Sequence, residues 1–315
     1  MVLPKFEYKK AKNVADAIAL YKGRKGKAVY LAGGTDLIPL IKQRLSTPSA
    51  VIDLKGIDEL RSVTSKDGWV EIGANVTLFE LKNNPVVRNN FPALYESLEA
   101  TACETLQMRG TIGGNILQET RCLEHNQSLE WRTARGFCLR SGGKECNVVK
   151  GSKICFANYC SDNAPALVTL GAEAKLTGPE GTRTIKLSTL FTGDALRPFA
   201  VNAGEILTHI RVPAKKTKGA YEKLRVRESM DYPLVGVAVS ATGAGAKICV
   251  GGVGLKPRMY ELKNAGIEAG IKEILDKAST DAKPVANAVL SPAYRKKMVG
   301  VLIKRAVKRT IGEGK

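Results

Sequence analysis

The feature that most constrains this chain is a concentration of cysteines in a segment without regular periodicity. Residues 117–160 are polar, show neither helical nor strand periodicity, and contain two adjacent glycines. Irregular segments of this length inside a compact domain usually have a function. A bound metal centre would keep the segment ordered, and buried, unpaired thiols are the other explanation. Five of the seven cysteines lie in it: Cys122, Cys138, Cys146, Cys155 and Cys160.

The spacing of these cysteines disfavours the commonest zinc sites. They are separated by 15, 7, 8 and 4 residues, so the CxxC pair of zinc fingers and ribbons is missing. The short cysteine runs of ferredoxins are missing as well. The first residues, MVLPKFEYKKAKN, contain no apolar signal segment, so we expect a cytoplasmic protein without disulfides. Four thiolates from an irregular segment can still hold an iron–sulfur cluster.

The remaining composition narrows the class of protein. With 315 residues, 44% hydrophobic and 25% charged, the chain is globular and long enough for two or three domains. The only histidines, His125 and His209, leave no HExxH zinc motif and little basis for a Ser-His-Asp triad. There is no GxxxxGKS/T phosphate loop and no apolar run long enough for a membrane-spanning helix.

The chain is strongly basic, with 49 Lys and Arg against 30 Asp and Glu and a net charge of +19. Such a charge suits nucleic acid, an anionic membrane surface or an acidic protein as partner. The one basic concentration, RKKMVGVLIKRAVKR at 295–309, is typical of a solvated helix face, with an acidic-protein or nucleic-acid surface as alternatives. No basic run with interleaved aromatics occurs, which disfavours nucleic acid.

Local signals predict a small β-α-β unit at the start of the chain. A helix over 13–22 begins at the N-cap Asn13, and a strand over 27–32 leads into the turn AGGTD. A second helix has Pro39 in its first turn, and a second strand covers 50–54.

Further signals predict helices and strands on both sides of the cysteine segment. A capping box of Thr77 and Glu80 starts one helix, and Ser291 caps the last one. The other elements are strands over 69–76 and 205–213, a helix over 91–103, a helix and a strand over 164–176, and a hairpin joined by Gly-Ala-Gly after a linker at 214–219.

Two glycine-rich turns each follow an apolar segment, AGGTD at 32–36 and TIGGN at 111–115. Adjacent glycines leave main-chain N–H groups accessible, and such turns can cradle phosphate groups. Tight turns without a ligand are the other explanation. Neither turn matches GxGxxG, so a Rossmann nicotinamide site is not indicated.

The pair AGGTDL and TIGGNI resembles the two pyrophosphate-binding turns of one family. These are the FAD-binding medium (beta) subunits of the xanthine dehydrogenase, or molybdenum hydroxylase, family, which includes carbon monoxide dehydrogenase. Further similar segments follow in the family's order along nearly the whole chain: SDNAPAL at 161–167, GEILTHIRVP at 204–213, YEKLRVRESMDYPLVGVAV at 221–239 and AYRKKMVGVLIKRAV at 293–307.

The resemblance implies an α+β fold. A FAD-binding domain of the p-cresol methylhydroxylase-like type would have subdomains at 1–57 and 58–214, with an iron–sulfur insertion at about 117–160. A C-terminal α/β domain of the carbon monoxide dehydrogenase flavoprotein type would cover 215–315. FAD would lie between the two subdomains.

The resemblance also implies which residues contact FAD, and it implies no catalytic residue for substrate chemistry. Asp162 is alternatively a helix N-cap, Lys223 a solvated strand residue and Tyr30 a core residue. The run TLQM at 105–108 departs from the family pattern before the second turn. The implied contacts are Tyr30, Leu31, Ala32, Gly33, Gly34, Thr35, Asp36 and Leu37 in the first turn, Thr111, Ile112, Gly113, Gly114 and Asn115 in the second, and Asp162, Leu207 and Lys223.

The cysteine segment departs from most of the family. In most members the SDNAPAL-like segment follows the second turn closely, whereas here 45 residues intervene. This insertion is most similar to that of 4-hydroxybenzoyl-CoA reductase beta subunits, which carries an extra [4Fe-4S] cluster; a periplasmic aldehyde oxidoreductase flavin subunit matches less well. Cys103, Cys160 and Cys249 would not be ligands, and His125 is either a loop residue or a cluster-tuning donor. The implied ligands are Cys122, Cys138, Cys146 and Cys155.

The expected function is that of an electron-transfer subunit in an anaerobic, molybdenum-containing reductase acting on an aromatic acyl-CoA. A large molybdenum-cofactor subunit and a small [2Fe-2S] subunit would be partners in a dimer of heterotrimers, and ferredoxin or a similar carrier would donate electrons. A flavin subunit of another xanthine dehydrogenase-family hydroxylase or aldehyde oxidoreductase is the alternative. A self-sufficient flavoenzyme would need its own substrate base, and a basic cysteine–metal module would bind nucleic acid with strong salt dependence.

Overall fold

The computed structural model describes residues 2–24, 26–243, 245–263 and 267–312. Within these ranges, helices and strands are mixed, as expected of an α+β protein, and the strands form three sheets. Each sheet draws its strands from one continuous part of the chain, which allows the three parts to be described in turn.

The N-terminal part is a small parallel sheet with the strand order β1-β3-β2. The predicted β-α-β unit is confirmed, and the Asn13 side chain accepts the N–H of Asp16 as the expected cap. The strand β1 was not predicted, because most of its side chains are exposed and show no apolar alternation. The elements are β1 (Glu7–Lys10), α1 (Val14–Lys22), β2 (Ala28–Leu31), α2 (Leu37–Lys42) and β3 (Ala50–Asp53).

The middle part is an antiparallel sheet with the order β4-β5-β8-β6-β7. Helices pack on one face and enclose a core in which Ile72, Phe91 and Leu94 are fully buried. The strands are β4 (Val63–Lys66), β5 (Trp69–Gly73), β6 (Glu173–Gly178), β7 (Gly181–Lys186) and β8 (Ile206–Pro213). The helices are α3 (Leu78–Lys82), α4 (Pro85–Asn90), α5 (Pro92–Glu99), α6 (Glu104–Gln107), α7 (Ile112–Ile116), α8 (Leu129–Arg135), α9 (Asn163–Thr169) and α10 (Leu187–Leu190), with single 3₁₀ turns at Asp58–Leu60 and Leu139–Ser141.

Side-chain caps determine where several of these helices begin. The predicted capping box of Thr77 and Glu80 is present. The second glycine turn is instead the short helix α7, because the Thr111 hydroxyl accepts the N–H of Gly114 at 3.1 Å. Helix α8 lies inside the cysteine segment and begins at Ser128, a cap that the sequence reading did not identify. The rest of that segment is largely irregular, as predicted.

The C-terminal part is a four-stranded antiparallel sheet with the order β12-β11-β10-β9, packed against two helices. The predicted hairpin and the Ser291 cap are confirmed. In the part of the chain that the structure describes, no helix is long and apolar enough to cross a membrane. The elements are β9 (Lys218–Leu224), β10 (Val235–Thr242), β11 (Gly245–Gly251), β12 (Arg258–Lys263), α11 (Ile267–Asp281) and α12 (Pro292–Ile311).

The first glycine turn lies in main-chain contact with the residues that precede the second. A Cβ atom at Gly33 would overlap the carbonyl group of Arg109, and it would also lie 2.9 Å from Gly110 Cα. A Cβ atom at Gly113 would lie 2.7 Å from Ala74 Cβ. Only glycine allows backbones to approach this closely. Gly33 therefore brings the N-terminal and middle parts together, and Gly113 lets α7 approach the chain after β5 within the middle part.

We expect Gly33→Ala to lower the free energy of unfolding by about 3 kcal/mol, the upper part of the range for an overpacked core, because main-chain atoms cannot move aside as a side chain can. Gly56→Ala is the matched control, since its Cβ atom would have only Ala11 O nearby, at 4.0 Å. Denaturant unfolding of both variants measures the difference. Equal stability of the two variants would contradict the close contact of the turns.

Candidate functional site

A cavity of about 500 Å³ lies where the two glycine turns meet β8 and the loop that follows β9. The first turn continues from β2, and the second turn is the beginning of α7. Backbone and small side chains of both turns therefore form part of its wall, and side chains of the loop that leads into β10 also line it. The cavity is large enough for a bound small molecule.

Most of the residues predicted to contact FAD line this cavity. Leu31 and Ile112 do not, because both side chains are buried in hydrophobic cores. Lys223 does not line it directly, but its ammonium group contacts a residue that does. The predicted residues that line it are Tyr30, Ala32, Gly33, Gly34, Thr35, Asp36, Leu37, Thr111, Gly113, Gly114, Asn115, Asp162 and Leu207.

The two turns offer different groups to a ligand. Among the described residues, the main-chain N–H groups of Gly33, Gly34 and Thr35 donate to no protein acceptor. In the second turn, Gly113 N–H donates to Ala74 O and Gly114 N–H to the Thr111 hydroxyl. Free donors in an adjacent-glycine turn suit an anionic group such as a phosphate. The first turn therefore provides hydrogen bonds, and the second provides close backbone approach.

A buried ion pair forms part of the wall. The Asp162 carboxylate accepts from the Tyr221 hydroxyl at 2.7 Å and from Lys223 Nζ at 3.0 Å. Burial raises the pKa of Asp162, and the Lys223 charge and the Tyr221 hydroxyl act against that rise. Lys223 also donates to Ala100 O and to Asp231 O, both at 2.8 Å. The solvated-strand alternative for Lys223 is therefore wrong, since its side chain is 4% exposed.

The structure also decides the alternative interpretations of Asp162 as a helix N-cap and of Tyr30 as a core residue. Asp162 occupies the N-cap position of α9 without a side-chain cap hydrogen bond, because its carboxylate is turned to Lys223. Tyr30 is half-buried, stacks on Tyr21 with ring centroids 5.3 Å apart, and donates its hydroxyl to Gly204 O at 2.9 Å. It therefore packs against the protein and also lines the cavity.

Sequence reasoning missed the loop between β9 and β10 as part of the wall. Arg227, Met230, Asp231 and Tyr232 from this loop all line the cavity. The segment was recognised only as part of a longer similar run, and nothing in its local pattern marks these side chains as cavity residues. Gln107, in the run that departs from the family pattern, is buried and donates to Leu98 O and Thr101 O.

Arg121 connects this wall to the cysteine segment. Its guanidinium forms an ion pair with Asp36 and lies 4.4 Å from the centroid of the Tyr232 ring. Its main chain pairs with that of Asn158 in both directions, at 2.7 and 2.8 Å. The next residue, Cys122, already belongs to a second site.

The four predicted cluster ligands converge on a small second cavity, which Cys122, Cys138, Cys146 and Cys155 line together. Within the described ranges, no three His, Cys, Asp or Glu side chains are arranged to hold a single metal ion. Burial raises the pKa of Cys122 to about 11 and that of Cys155 above its usual value. Burial therefore disfavours the thiolate form of both side chains.

His125 also lines the second cavity. Its Nδ1 lies 3.1 Å from Ser141 Oγ and 4.0 Å from Cys138 Sγ. Burial lowers the pKa of His125 to about 3, and the charges of Arg140 and Arg132 add to this effect. The imidazole is neutral at physiological pH and contributes no positive charge to the cysteines.

The remaining cysteines lie elsewhere. Cys160 lines the larger cavity, and burial raises its pKa to about 12. Cys249 is fully buried in the main core. Cys103 stands before α6, where its thiol lies 3.3 Å from Thr105 Oγ1. This placement separates them from the four cysteines that share the second cavity.

Comparison with known proteins gives consistent matches. The model of the FAD binding domain in molybdopterin dehydrogenase matches residues 4–215. The chain is 32% identical to the carbon monoxide dehydrogenase medium chain of Afipia carboxidovorans over 100% of both chains. It is 30% identical to the aldehyde oxidoreductase FAD-binding subunit PaoB of Escherichia coli, over 96% of this chain and 98% of that one. A solved structure of reconstituted CO dehydrogenase from Oligotropha carboxidovorans matches with a TM-score of 0.79 at 27% identity, covering 98% of this chain and 99% of that chain.

We expect Gly114→Val to abolish retention of FAD while the chain stays folded. A Cβ atom at Gly114 would meet only Thr111 Oγ1, at 3.0 Å, so a valine side chain would project into the cavity. Gly254→Val is the control, because a Cβ atom there would have no neighbour within 4 Å among the described residues. Flavin absorbance per chain is the measurement, with circular dichroism as the test of folding. Normal flavin content in Gly114→Val would contradict the assignment of this cavity.

We expect Lys223→Met to destabilise the chain by about 3–5 kcal/mol, because the Asp162 carboxylate would stay buried without its cation. The double variant Asp162→Asn/Lys223→Met removes both charges and should recover most of that stability. Lys218→Met, at an exposed position of the same strand, serves as the control. Thermal unfolding distinguishes the variants. A double variant as unstable as Lys223→Met would show that lost packing, and not the unpaired carboxylate, is the cause.

Proposed function

This chain belongs to the family of FAD-binding medium subunits of molybdenum hydroxylases, and from that premise we propose that it works as the electron-transfer subunit of a molybdenum-containing oxidoreductase. The observation that supports this most directly is the convergence of both glycine turns on one cavity of about 500 Å³. FAD, when bound, accepts and donates electrons singly or in pairs, so it can connect different electron carriers.

The residues of the cavity suit a dinucleotide without supplying substrate chemistry. The free N–H groups of Gly33, Gly34 and Thr35 would bind the pyrophosphate. The glycines of α7 carry no side chain, so the pyrophosphate could approach the backbone closely there. The loop residues Met230 and Tyr232 would cover the ligand and exclude water. The buried pair of Asp162 and Lys223 in the cavity wall is occupied in holding that wall together. We therefore assign substrate chemistry to another chain.

We further propose that Cys122, Cys138, Cys146 and Cys155 bind a [4Fe-4S] cluster. The support is their common cavity and the absence from it of Cys160. In such a cluster each thiolate binds a different iron, so the four sulfurs need not surround one ion.

The relatives support a choice between two types of parent enzyme. They include carbon monoxide dehydrogenase, an aldehyde oxidoreductase and a glyceraldehyde dehydrogenase. We therefore place the flavin subunit of a hydroxylase or aldehyde oxidoreductase first. A 4-hydroxybenzoyl-CoA reductase-like role in removing an aromatic hydroxyl group is the second candidate, and it rests on the cysteine segment alone.

The proposed assembly contains a large molybdenum-cofactor subunit and a small [2Fe-2S] subunit, as a dimer of heterotrimers. In the reductase-like role, ferredoxin or a similar protein would be the electron donor. The net charge of +19 suits an acidic carrier. Within the chain, we propose FAD-binding subdomains at 1–57 and 58–214 and a C-terminal domain at 215–315. The separate sheets at residues 7–53, 63–213 and 218–263 support this division.

The test is to purify the full chain without oxygen and to count FAD and iron per chain. We expect one FAD and about four irons. Cys138→Ser should lose the iron and keep FAD, because it removes a ligand far from the flavin cavity. Cys103→Ser is the matched control and should keep both, since Cys103 lies outside the cysteine cavity.

Two outcomes would contradict parts of the proposal. Wild-type chain with FAD and no iron would make the four thiols structural and would leave an ordinary hydroxylase flavin subunit. Iron that persists in Cys138→Ser but disappears in Cys103→Ser would show that the ligand assignment is wrong.

A further inference from the structure

One asparagine outside the cysteine segment contacts both of its ends. Asn287 lies between α11 and α12 and is 3% exposed. Its carbonyl oxygen accepts the N–H of Leu123 at 3.1 Å. Its side-chain Nδ2 donates to Phe156 O at 2.6 Å. Leu123 and Phe156 are the residues immediately after two of the proposed ligands, Cys122 and Cys155.

Two other buried residues donate hydrogen bonds to the same side chain. Asn287 Oδ1 accepts from Asn158 Nδ2 at 3.0 Å and from Arg295 Nη2 at 3.3 Å. Arg295 belongs to α12, is fully buried, and donates in addition to Val285 O. Two other atoms of its guanidinium, Nε and Nη1, have no partner among the described residues. Burying a guanidinium whose N–H groups are only partly hydrogen-bonded costs free energy of folding. Its hydrogen bond to Asn287 Oδ1 orients the Asn287 amide.

We propose that Asn287 is a positioning residue for the iron–sulfur cluster, through which the C-terminal part of the chain sets the separation of Cys122 and Cys155. This inference rests on the proposed [4Fe-4S] function. Asn287 touches neither thiol, so it acts through the main chain next to each. The two cysteines are 33 positions apart in an irregular segment. The main-chain pairing of Arg121 with Asn158 closes the segment at its ends, and Asn287 adds a hydrogen bond to the residue directly after each of the two ligands.

Closing the loop between the two ligands costs conformational entropy that grows with loop length. The Arg121–Asn158 bridge offsets part of this cost, and Asn287 fixes the main chain at Leu123 and Phe156, the residues directly after the two ligands. Hydrogen bonds that orient metal ligands from outside the ligand set typically change metal affinity by about 10–100-fold when they are removed. Asn287 occupies such a position for two of the four ligands at once.

The test compares iron release from the anaerobically purified full chain. Asn287→Leu keeps the volume of the side chain and removes its hydrogen bonds to Phe156 O, Asn158 and Arg295. We expect an iron chelator to remove iron about tenfold faster than from wild type or more, with a changed electron paramagnetic resonance spectrum of the reduced cluster. FAD content should not change, because Asn287 does not line the flavin cavity.

Two further variants separate positioning from general destabilisation. Asn287→Asp keeps an acceptor for Asn158 and Arg295 but replaces the donor to Phe156 O, so it loosens the Cys155 side alone. We expect faster iron release with the wild-type melting temperature and FAD content. Asn83→Leu is the control, because Asn83 is exposed and its Nδ2 also donates to a main-chain oxygen, Phe79 O at 3.0 Å. It should leave iron release unchanged.

Each outcome decides a different question. Wild-type chain without iron overturns the cluster proposal and this inference with it. Wild type with about four irons and unchanged release from both Asn287 variants overturns the inference alone. If Asn287→Leu fails to fold, the Asn287→Asp variant decides, since wild-type release from it would show that the contact to Phe156 O does not position the cluster.

Discussion

Close main-chain contact at two glycines determines how the backbones around the flavin cavity can approach one another. Gly33 of the N-terminal part lies against Arg109 of the middle part, and Gly113 lies against Ala74 within the middle part. A side chain at either position would push the two backbones apart. The same requirement leaves a wall made of backbone, in which the N–H groups of the first turn remain free to donate. Close packing and ligand binding therefore depend on the same residues.

The C-terminal part adds polar contacts that fix the positions of neighbouring elements more than they raise the free energy of unfolding. A buried ion pair adds little net free energy compared with an apolar pair, but breaking it leaves an unpaired buried charge. The pair of Asp162 and Lys223 has this property, and Lys223 also holds the main chain at Ala100 and Asp231. One ammonium group thus joins a helix of the middle part, the residue that begins α9 and the loop that closes the cavity. Any other arrangement of these three elements would leave the buried charge of Asp162 or Lys223 without its partner.

The sequence predicted what acts locally and missed what acts through tertiary contact. Caps such as Asn13 and Thr77 bind N–H groups within three residues, so their patterns are visible in the chain. The convergence of the two turns was expected from resemblance to a family, and the described cavity agrees with it. The polar strand β1 and the wall residue Tyr232 carry no periodic signal. Asn287 could not have been identified, because the residues of the cysteine segment that it contacts, Leu123, Phe156 and Asn158, are more than a hundred positions away in the chain.

The proposed cluster site in the cysteine segment shows why such a site would need no local motif. In a CxxC site two ligands are correctly spaced by one turn of chain, whereas here each proposed ligand comes from a separate piece of an irregular segment. Within the segment, Arg140 donates to Thr120 O at 2.6 Å. From outside it, Gln43 O and Arg44 O at the end of α2 accept from Arg132, and Asn287 donates to Phe156 O. The N-terminal and C-terminal parts therefore both hold the segment, so the placement of the four cysteines depends on the whole fold.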